Sequence, residues 1–520
     1  MSAEDYLFRK AEDGTFVRKL FGQESMLALA AEDMDGAYHL TTSASLIIPR
    51  GSQKERIMEK ARQSWIALRY QAPSLACRGF RFPDGKKDPA LRYNVPLSRD
   101  DVEAWVSATT FFSDEVKPFR QWHNDLKDNL YWRPSAEEYC ATLHASTLEK
   151  EDEWQFSMSI AHPTSDARSS FQLMELFLDY MRDYLKTDGD ATEIFAWGNE
   201  VSRLTPPGPF VPSIAATGKP PNMHAAPPAG FGEGPEPAVW MYPMPPTGST
   251  GDTSRLLNFD SEAASKIYKV TKAHGRTITQ SLSALVVLAY AEAAIRTSIQ
   301  EGNERFNEVI AAYEEAEYHK IIINPASHRH NLPGGYDSIS SATSSPLFAV
   351  DGGTLLIPLE GIKKLLKVDK ERKKVTRTEN VDAFWDLLVP GVADAWKTSN
   401  VTIEYYPPHN IFYQFLVDNG YFDPTEFFRG PYTLVSSVGN LDRLNILSSY
   451  LPSNTSPGGD GMIVTDVIFG VRNRGLGLSC FAYQYNGTLS CHFCSALEKT
   501  SQEEFDATIG AFEDWTKVFF

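Results

Sequence analysis

The chain of 520 residues carries 50 Lys and Arg against 67 Asp and Glu, a formal net charge of −17. That balance excludes a general nucleic-acid or anionic-membrane binder, because phosphate contacts need a concentrated basic face. Hydrophobic residues at 42% and charged residues at 22% exclude a disordered chain and describe a globular one with a large core. The length fits two lobes of ~200–260 residues. Five cysteines at irregular positions, Cys77, Cys140, Cys480, Cys491 and Cys494, do not make a disulfide framework. Cys491-His-Phe-Cys494 has metal-like spacing, but it lacks a second pair and lies in a strand-like run, so buried thiols and no metal are expected. The first ten residues hold no apolar core of a signal peptide, and the longest apolar run, 282–295, falls short of a bilayer span. A cytoplasmic protein without a membrane span is expected.

In chain order, 37–48 reads as a strand that leads through Pro49-Arg-Gly into a helix over 55–69. Further strands are read over 142–146 and 153–162. In the latter, Trp154, Phe156, Met158 and Ile160 alternate with Gln155, Ser157 and Ser159, the pattern of a strand with one buried face, and His162 continues the alternation. From Phe171 the period lengthens through Met174, Phe177 or Leu178, Met181 and Leu185, which predicts an amphipathic helix packed on that strand. Between them Pro163-Thr-Ser-Asp166 stops the strand and offers Thr164, Ser165 and Asp166 as N-caps. A turn is read at 188–191. Residues 206–253, rich in Pro-Pro, Pro-Gly and Gly-Ser clusters, read as a linker or long loop. Beyond it come helices over 261–273, 277–298 and 303–316, a strand over 320–324, loop and turn at 342–345 and 351–353, and a short strand over 355–358. Helices over 380–398 and 503–519 close the chain, and no internal repeat is visible.

His162 thus sits in a strand-to-helix junction. Its imidazole titrates near neutral pH and can take a proton from a hydroxyl attacking an acyl carbonyl, a role worth ~10²–10⁴-fold in rate. Taken alone, one His-x-x-x-Asp among eleven histidines reads first as a junction residue behind a capped helix. Context raises it.

The segment His162-Pro-Thr-Ser-Asp166 resembles the His-x-x-x-Asp-Gly motif of the CoA-dependent acyltransferases that share the chloramphenicol acetyltransferase fold. That group includes peptide-synthetase condensation domains, alcohol acetyltransferases and fungal trichothecene O-acetyltransferases. Residues 20–24, 61–76, 272–285, 323–329, 436–440 and 478–490 resemble other stretches of the same group, in the same order and across nearly the whole chain. Length, the 61–76 helix, the Pro-rich crossover and the closing hairpin look most like trichothecene 15-O-acetyltransferases. The resemblance implies an α/β fold of two chloramphenicol acetyltransferase-like lobes, each a mixed sheet flanked by helices, with the active-site channel between them. The lobes would span 1–202 and 254–520, joined by a Pro/Gly-rich crossover over 203–253.

The same resemblance implies that His162 is the general base for direct transfer of acetyl from acetyl-CoA to the hydroxyl of a small-molecule alcohol acceptor. The acceptor class it implies is a trichothecene-like sesquiterpenoid. No acyl-enzyme, bound cofactor or metal is expected, and a monomer is. Asp166 would hold the junction in shape through an ion pair, with Arg329 as partner; a solvated strand-end charge is the equal alternative for Arg329. Ser436, Ser437 and Asn440 are candidate channel or oxyanion donors, and a tight turn is the stronger reading for Asn440. His328 and His330 read as polar strand residues. Ala167 stands where the motif carries glycine, which bears on the shape of the donor passage. The basic run 363–377 reads first as a solvated loop or helix face, with steering of CoA phosphates or an acidic carrier as the alternative. Two other functions stay open: a condensation-type catalyst fed by a carrier protein, and a non-catalytic binding module.

Overall fold

A computed structural model of the chain describes residues 2–48, 53–81, 88–150, 152–186, 195–223, 238–240, 250–333, 348–379, 381–399, 402–452 and 461–520. The first half supplies α1 (Gln23–Asp33), β1 (Leu40–Ile47), α2 (Lys54–Gln71), β2 (Thr110–Ser113), α3 (Phe119–Asn129), β3 (Ala141–Thr147), β4 (Glu153–Ile160) and α4 (Ala167–Leu185). The second half supplies β5 (Asp252–Phe259), α5 (Ile278–Glu301), β6 (Tyr318–Ser327), β7 (Val350–Pro358), α6 (Tyr406–Asp418) and α7 (Pro424–Phe427). It continues with β8 (Thr433–Asn440), β9 (Ile463–Val471), β10 (Leu478–Tyr485), β11 (Thr488–Ala496) and α8 (Gln502–Phe519).

These elements build two lobes on two mixed sheets. One sheet has the order β9-β1-β4-β3-β2 and the other β7-β6-β8-β10-β11-β5. Each carries its own large apolar core. Strand β9 comes late in the chain yet pairs with β1 along its length, from Ile463 opposite Ile47 to Val471 opposite Leu40, so the second half of the chain completes the first sheet.

Strand β4 lies between β1 and β3, with Ile160 opposite both Leu40 and Ala141. The alternation predicted one buried face, but both faces are buried. Phe156 packs under α4 with its ring 5.5 Å from that of Phe177. On the other face Ser157 Oγ bonds Ser43 Oγ at 2.7 Å, and Ser43 Oγ bonds His123 Nδ1 of α3 at 2.7 Å. Buried hydroxyls are tolerated there because they satisfy one another.

Other differences have local causes. Strand β6 runs on to Ser327, and 351–353, expected as a turn, lie inside β7, with Pro325 opposite Gly352 and Ala326 opposite Asp351. A Cβ on Gly352 would meet Ile323 Cγ2 at 3.0 Å, so the glycine serves close strand packing rather than a bend. The helix read over 380–398 is a π-helical turn, Phe384–Leu388, feeding the α-helix Val389–Thr398. Pro390 has no N–H to continue an α-helical ladder across that join. The basic run ends the helix Glu360–Leu365 and then forms a hairpin of Leu366–Asp369 with Lys374–Arg377. Four of its cations meet acids: Lys364 with Glu360 at 2.8 Å, Lys370 with Glu314 at 2.5 Å, Arg372 with Asp369 at 3.9 Å and Arg377 with buried Glu292 at 2.9 Å.

Within the crossover, the described residues include the helix Val211–Thr217 and buried Phe210 and Trp240. The readings at 188–191 and 342–345 fall outside the described residues. Helix α5 is, by length and composition, long enough to cross a membrane, contrary to the shorter apolar run read from sequence. Its apolar window is 83% buried inside the protein, where it forms the centre of the second lobe. All five cysteines are buried free thiols.

Candidate active site

Strand β4 stops at Ile160, and His162–Thr164 form a single 3-10 turn in which Pro163 fixes the backbone. His162 therefore leaves the strand instead of extending it. Its Nδ1 lies 2.9 Å from the carbonyl oxygen of Ser165. A carbonyl only accepts, so the proton sits on Nδ1 and Nε2 keeps its lone pair. Nε2 has no hydrogen-bond partner among the described residues. The Phe348 ring meets the imidazole edge-on, with centroids 5.4 Å apart. Burial pushes the His162 pKa below its ordinary value, against the opposing pull of the Ser165 carbonyl and the Asp166 charge. The site thus favours the neutral, basic form.

Asp166 is the N-cap that α4 uses, so the helix begins at Ala167, ahead of the first periodic apolar residue. Oδ1 accepts from the Ser169 N–H at 2.8 Å. Oδ2 accepts from Arg329 Nη2 at 2.8 Å and from the Ala349 N–H at 3.2 Å. Arg329 also donates to Ser169 Oγ. It sits in the 3-10 turn Arg329–Asn331 just past β6 and is 0% exposed, which removes the solvated-charge alternative. Burial pushes the Asp166 carboxyl up, but the Arg329 guanidinium and the two N–H donors outweigh it and hold the pKa below the usual value. One carboxylate thereby ties the start of α4, in the first lobe, to two segments of the second.

His328 flanks that turn and His330 lies within it, and neither is along a strand. His328 is buried, with its ring 4.7 Å from that of Tyr406, whereas His330 is exposed.

His162, Asp166 and Ala167 line a cavity of about 170 Å³ at the seam between the lobes. Eight of its wall residues are Phe or Tyr, and among the described residues no Lys, Arg or Glu contributes. Most of its polar side chains are already engaged. Gln23 donates to Asp351 at 3.0 Å, Thr354 to the Ile322 carbonyl at 3.1 Å, and Asn473 to the Cys494 carbonyl at 3.1 Å. Ser436 also lines it, and its hydroxyl has no partner among the described residues. Ser437 and Asn440 are not in the wall. All three belong to β8, paired with β10, and not to a free turn. Asn440 spends its amide on Gln484 at 2.7 Å and on the Arg443 N–H at 2.9 Å. Among the described residues no group of three or more His, Cys, Asp or Glu converges as a metal site.

No family model matches the sequence, and no curated protein matches it. Solved structures do match. The TRI3 trichothecene 15-O-acetyltransferase of Fusarium sporotrichioides aligns with a TM-score of 0.73 over 100% of this chain and 98% of that one, at 14% identity. The chain has the two-lobed, chloramphenicol acetyltransferase-like fold. TRI101 of Fusarium graminearum, complexed with coenzyme A and T-2 mycotoxin, aligns at a TM-score of 0.56 over 96% of this chain and 98% of that one, at 11% identity. The first condensation domain of the calcium-dependent antibiotic synthetase aligns at 0.54 over 97% and 96%, at 13% identity.

In this fold the cavity also draws on residues the sequence reading passed over. Helix α1 supplies Gln23, Met26, Leu27 and Ala30, and the segment from α6 to α7 supplies Tyr413, Phe422, Phe427 and Phe428. The second group had a visible signal, since 405–428 contain nine Phe and Tyr residues.

Proposed function

We propose that the protein is an acyl-CoA-dependent O-acyltransferase that moves acetyl from acetyl-CoA to a hydroxyl of a neutral, terpenoid-type alcohol. The observation that carries the reading is the state of His162: Nδ1 is fixed as donor, Nε2 is unpartnered, and the ring forms part of a mostly apolar cavity wall. Nε2 takes the acceptor's hydroxyl proton as its oxygen attacks the thioester carbonyl carbon. The tetrahedral oxyanion collapses with cleavage of the carbon–sulfur bond. The imidazolium returns its proton to the departing thiolate, so the products are the ester and free CoA, with no acyl-enzyme. Ser436 and Tyr38 are wall hydroxyls without a protein partner among the described residues, and Ser436 is the one we assign to donate to the oxyanion. Asp166 and Arg329 keep the His162 turn in place without touching substrate. Solved structures of the same fold with coenzyme A bound support the donor assignment.

The test is thiol release from acetyl-CoA by the purified protein against hydroxylated sesquiterpenoids, with His162→Ala alongside. CoA release matched by ester formation and lost in the variant is the expected result. Failure to bind acetyl-CoA overturns it, and acyl transfer only from a carrier-protein thioester assigns condensation-type chemistry instead.

A further inference from the structure

The cavity wall is continuous with an aromatic surface. Three of the eight exposed large apolar side chains among the described residues fall within α6, α7 and the turn between them: Phe415 at 52%, Tyr421 at 70% and Phe427 at 38% exposure. Phe427 is also a wall residue of the cavity, so the wall reaches solvent there. The rings form an outer pair and a run that leads inward. Phe415 meets Tyr421 at 6.1 Å, Phe422 meets Phe427 at 5.5 Å, Phe427 meets Phe428 at 4.8 Å, and Phe428 meets Tyr38 at 5.1 Å. Tyr38 lines the same cavity as His162. It lies just ahead of β1, whose Leu40 pairs with Ile160 shortly before His162.

Exposed aromatic rings next to one another lose free energy to water, and a soluble surface rarely concentrates them without use. Nearby acids are engaged locally: Asp423 caps α7, and Glu426 pairs with Arg429 at 3.6 Å. Neither lines the cavity, and among the described residues its wall holds no Lys or Arg; the nearest cations, Arg429 after Phe428 and Lys499 on the Arg429 carbonyl at 2.9 Å, lie outside it. We propose that this aromatic track is the route by which a neutral, ring-bearing acceptor alcohol reaches His162, with Phe427 at its threshold. The inference rests on the acyl-transfer reading above. It adds that the acceptor is uncharged and enters on the α6–α7 side, while acetyl-CoA, with its phosphates, enters elsewhere.

All five native thiols are buried, so a bulky neutral maleimide will react at introduced cysteines. The variants are Phe427→Cys, Phe415→Cys and, off the track on α8, Val518→Cys, whose native residue is 48% exposed. Each is tested in the full chain for transfer kinetics and for uptake of the neutral polarity-sensitive dye Nile red. Labelling Phe427→Cys is expected to raise the acceptor KM ~10-fold or more with the acetyl-CoA KM unchanged, and to abolish dye uptake. Labelled Phe415→Cys shows the same split more weakly, and labelled Val518→Cys shows neither. A label at 427 that raises the acetyl-CoA KM instead, or leaves acceptor and dye untouched, overturns the proposal. So does a label whose sole effect is to abolish sedimentation with neutral phospholipid vesicles, which assigns the patch to a membrane surface. If no alcohol is turned over, the acyl-transfer reading fails by itself. Dye uptake blocked at 427 then still supports the route, and unblocked uptake refutes it.

Discussion

Arg329→Met removes the guanidinium beside Asp166 while keeping an apolar side chain of similar reach. The carboxylate it leaves is 2% exposed and cannot recruit water readily. Removing one partner of a buried ion pair costs about 3–5 kcal/mol, mostly because the other charge stays buried and unpaired. Here the Ser169 N–H at 2.8 Å and the Ala349 N–H at 3.2 Å still donate to Asp166, which places the cost near the lower end, about 3 kcal/mol. With a urea m-value of ~3 kcal/mol/M the unfolding midpoint falls by ~1 M. The pH dependence has a definite sign. In the wild type the folded pKa of Asp166 lies below its unfolded value, so its contribution is present above that unfolded value and is lost as pH falls through the folded one. In Arg329→Met, burial acts without the guanidinium and raises the folded value, so the deficit against wild type shrinks as pH falls towards the carboxylate range. The double variant Asp166→Asn/Arg329→Met removes the stranded charge and keeps a good N-cap, so it recovers most of the loss. Urea titrations of the four proteins at pH 7 and pH 4.5 decide it. A single-variant cost under ~0.5 kcal/mol, or costs that simply add in the double variant, refutes the argument.

Three further outcomes are expected. His162→Ala lowers kcat ~10²–10⁴-fold with the urea midpoint unchanged, and because burial depresses this imidazole, the acidic limb of wild-type kcat/KM, where the base becomes protonated, is centred below the ordinary 6.5; a limb centred above that value contradicts the assignment. Ser436→Ala lowers kcat ~10²–10³-fold if its hydroxyl meets the oxyanion, whereas Ser437→Ala, outside the cavity wall, leaves kcat and KM as they are; equal effects of the two would remove Ser436 from the mechanism. Burial raises Glu175 on α4 from 4.5 to about 7, outweighing the Leu447 N–H that donates to it. A raised folded value means wild-type stability falls as pH rises through that window, so Glu175→Gln unfolds later than wild type above pH 7 and not below pH 4.5.

What was legible in the sequence follows from how local each feature is. The α4 cap, the His162 turn and the helix faces are set within a few residues, and they are where the residue pattern placed them to within a turn. Arg329 meets Asp166 across 163 residues of chain, and only the order of family-like stretches pointed to it. Strand β9 joining the first sheet left no trace in periodicity, because pairing with β1 is a relation between strands more than 400 residues apart. Alternation on β4 misled for another reason: it records polarity, not exposure. Gln155, Ser157 and Ser159 read as a wet face, yet each is buried, and Ser157 and Ser43 are paired inside the sheet–helix layer. The same distinction governs the site. Gln23, Thr354, Asn473 and Ser436 are equally polar in sequence, but three are spent on protein partners and Ser436 is not. A buried polar group spent inside the fold positions the wall, whereas one left unspent beside a cavity is a contact held open for a ligand. Only the hydrogen-bond accounting in three dimensions separates the two, and it leaves Ser436, the Tyr38 hydroxyl and His162 Nε2 as unspent groups of this wall.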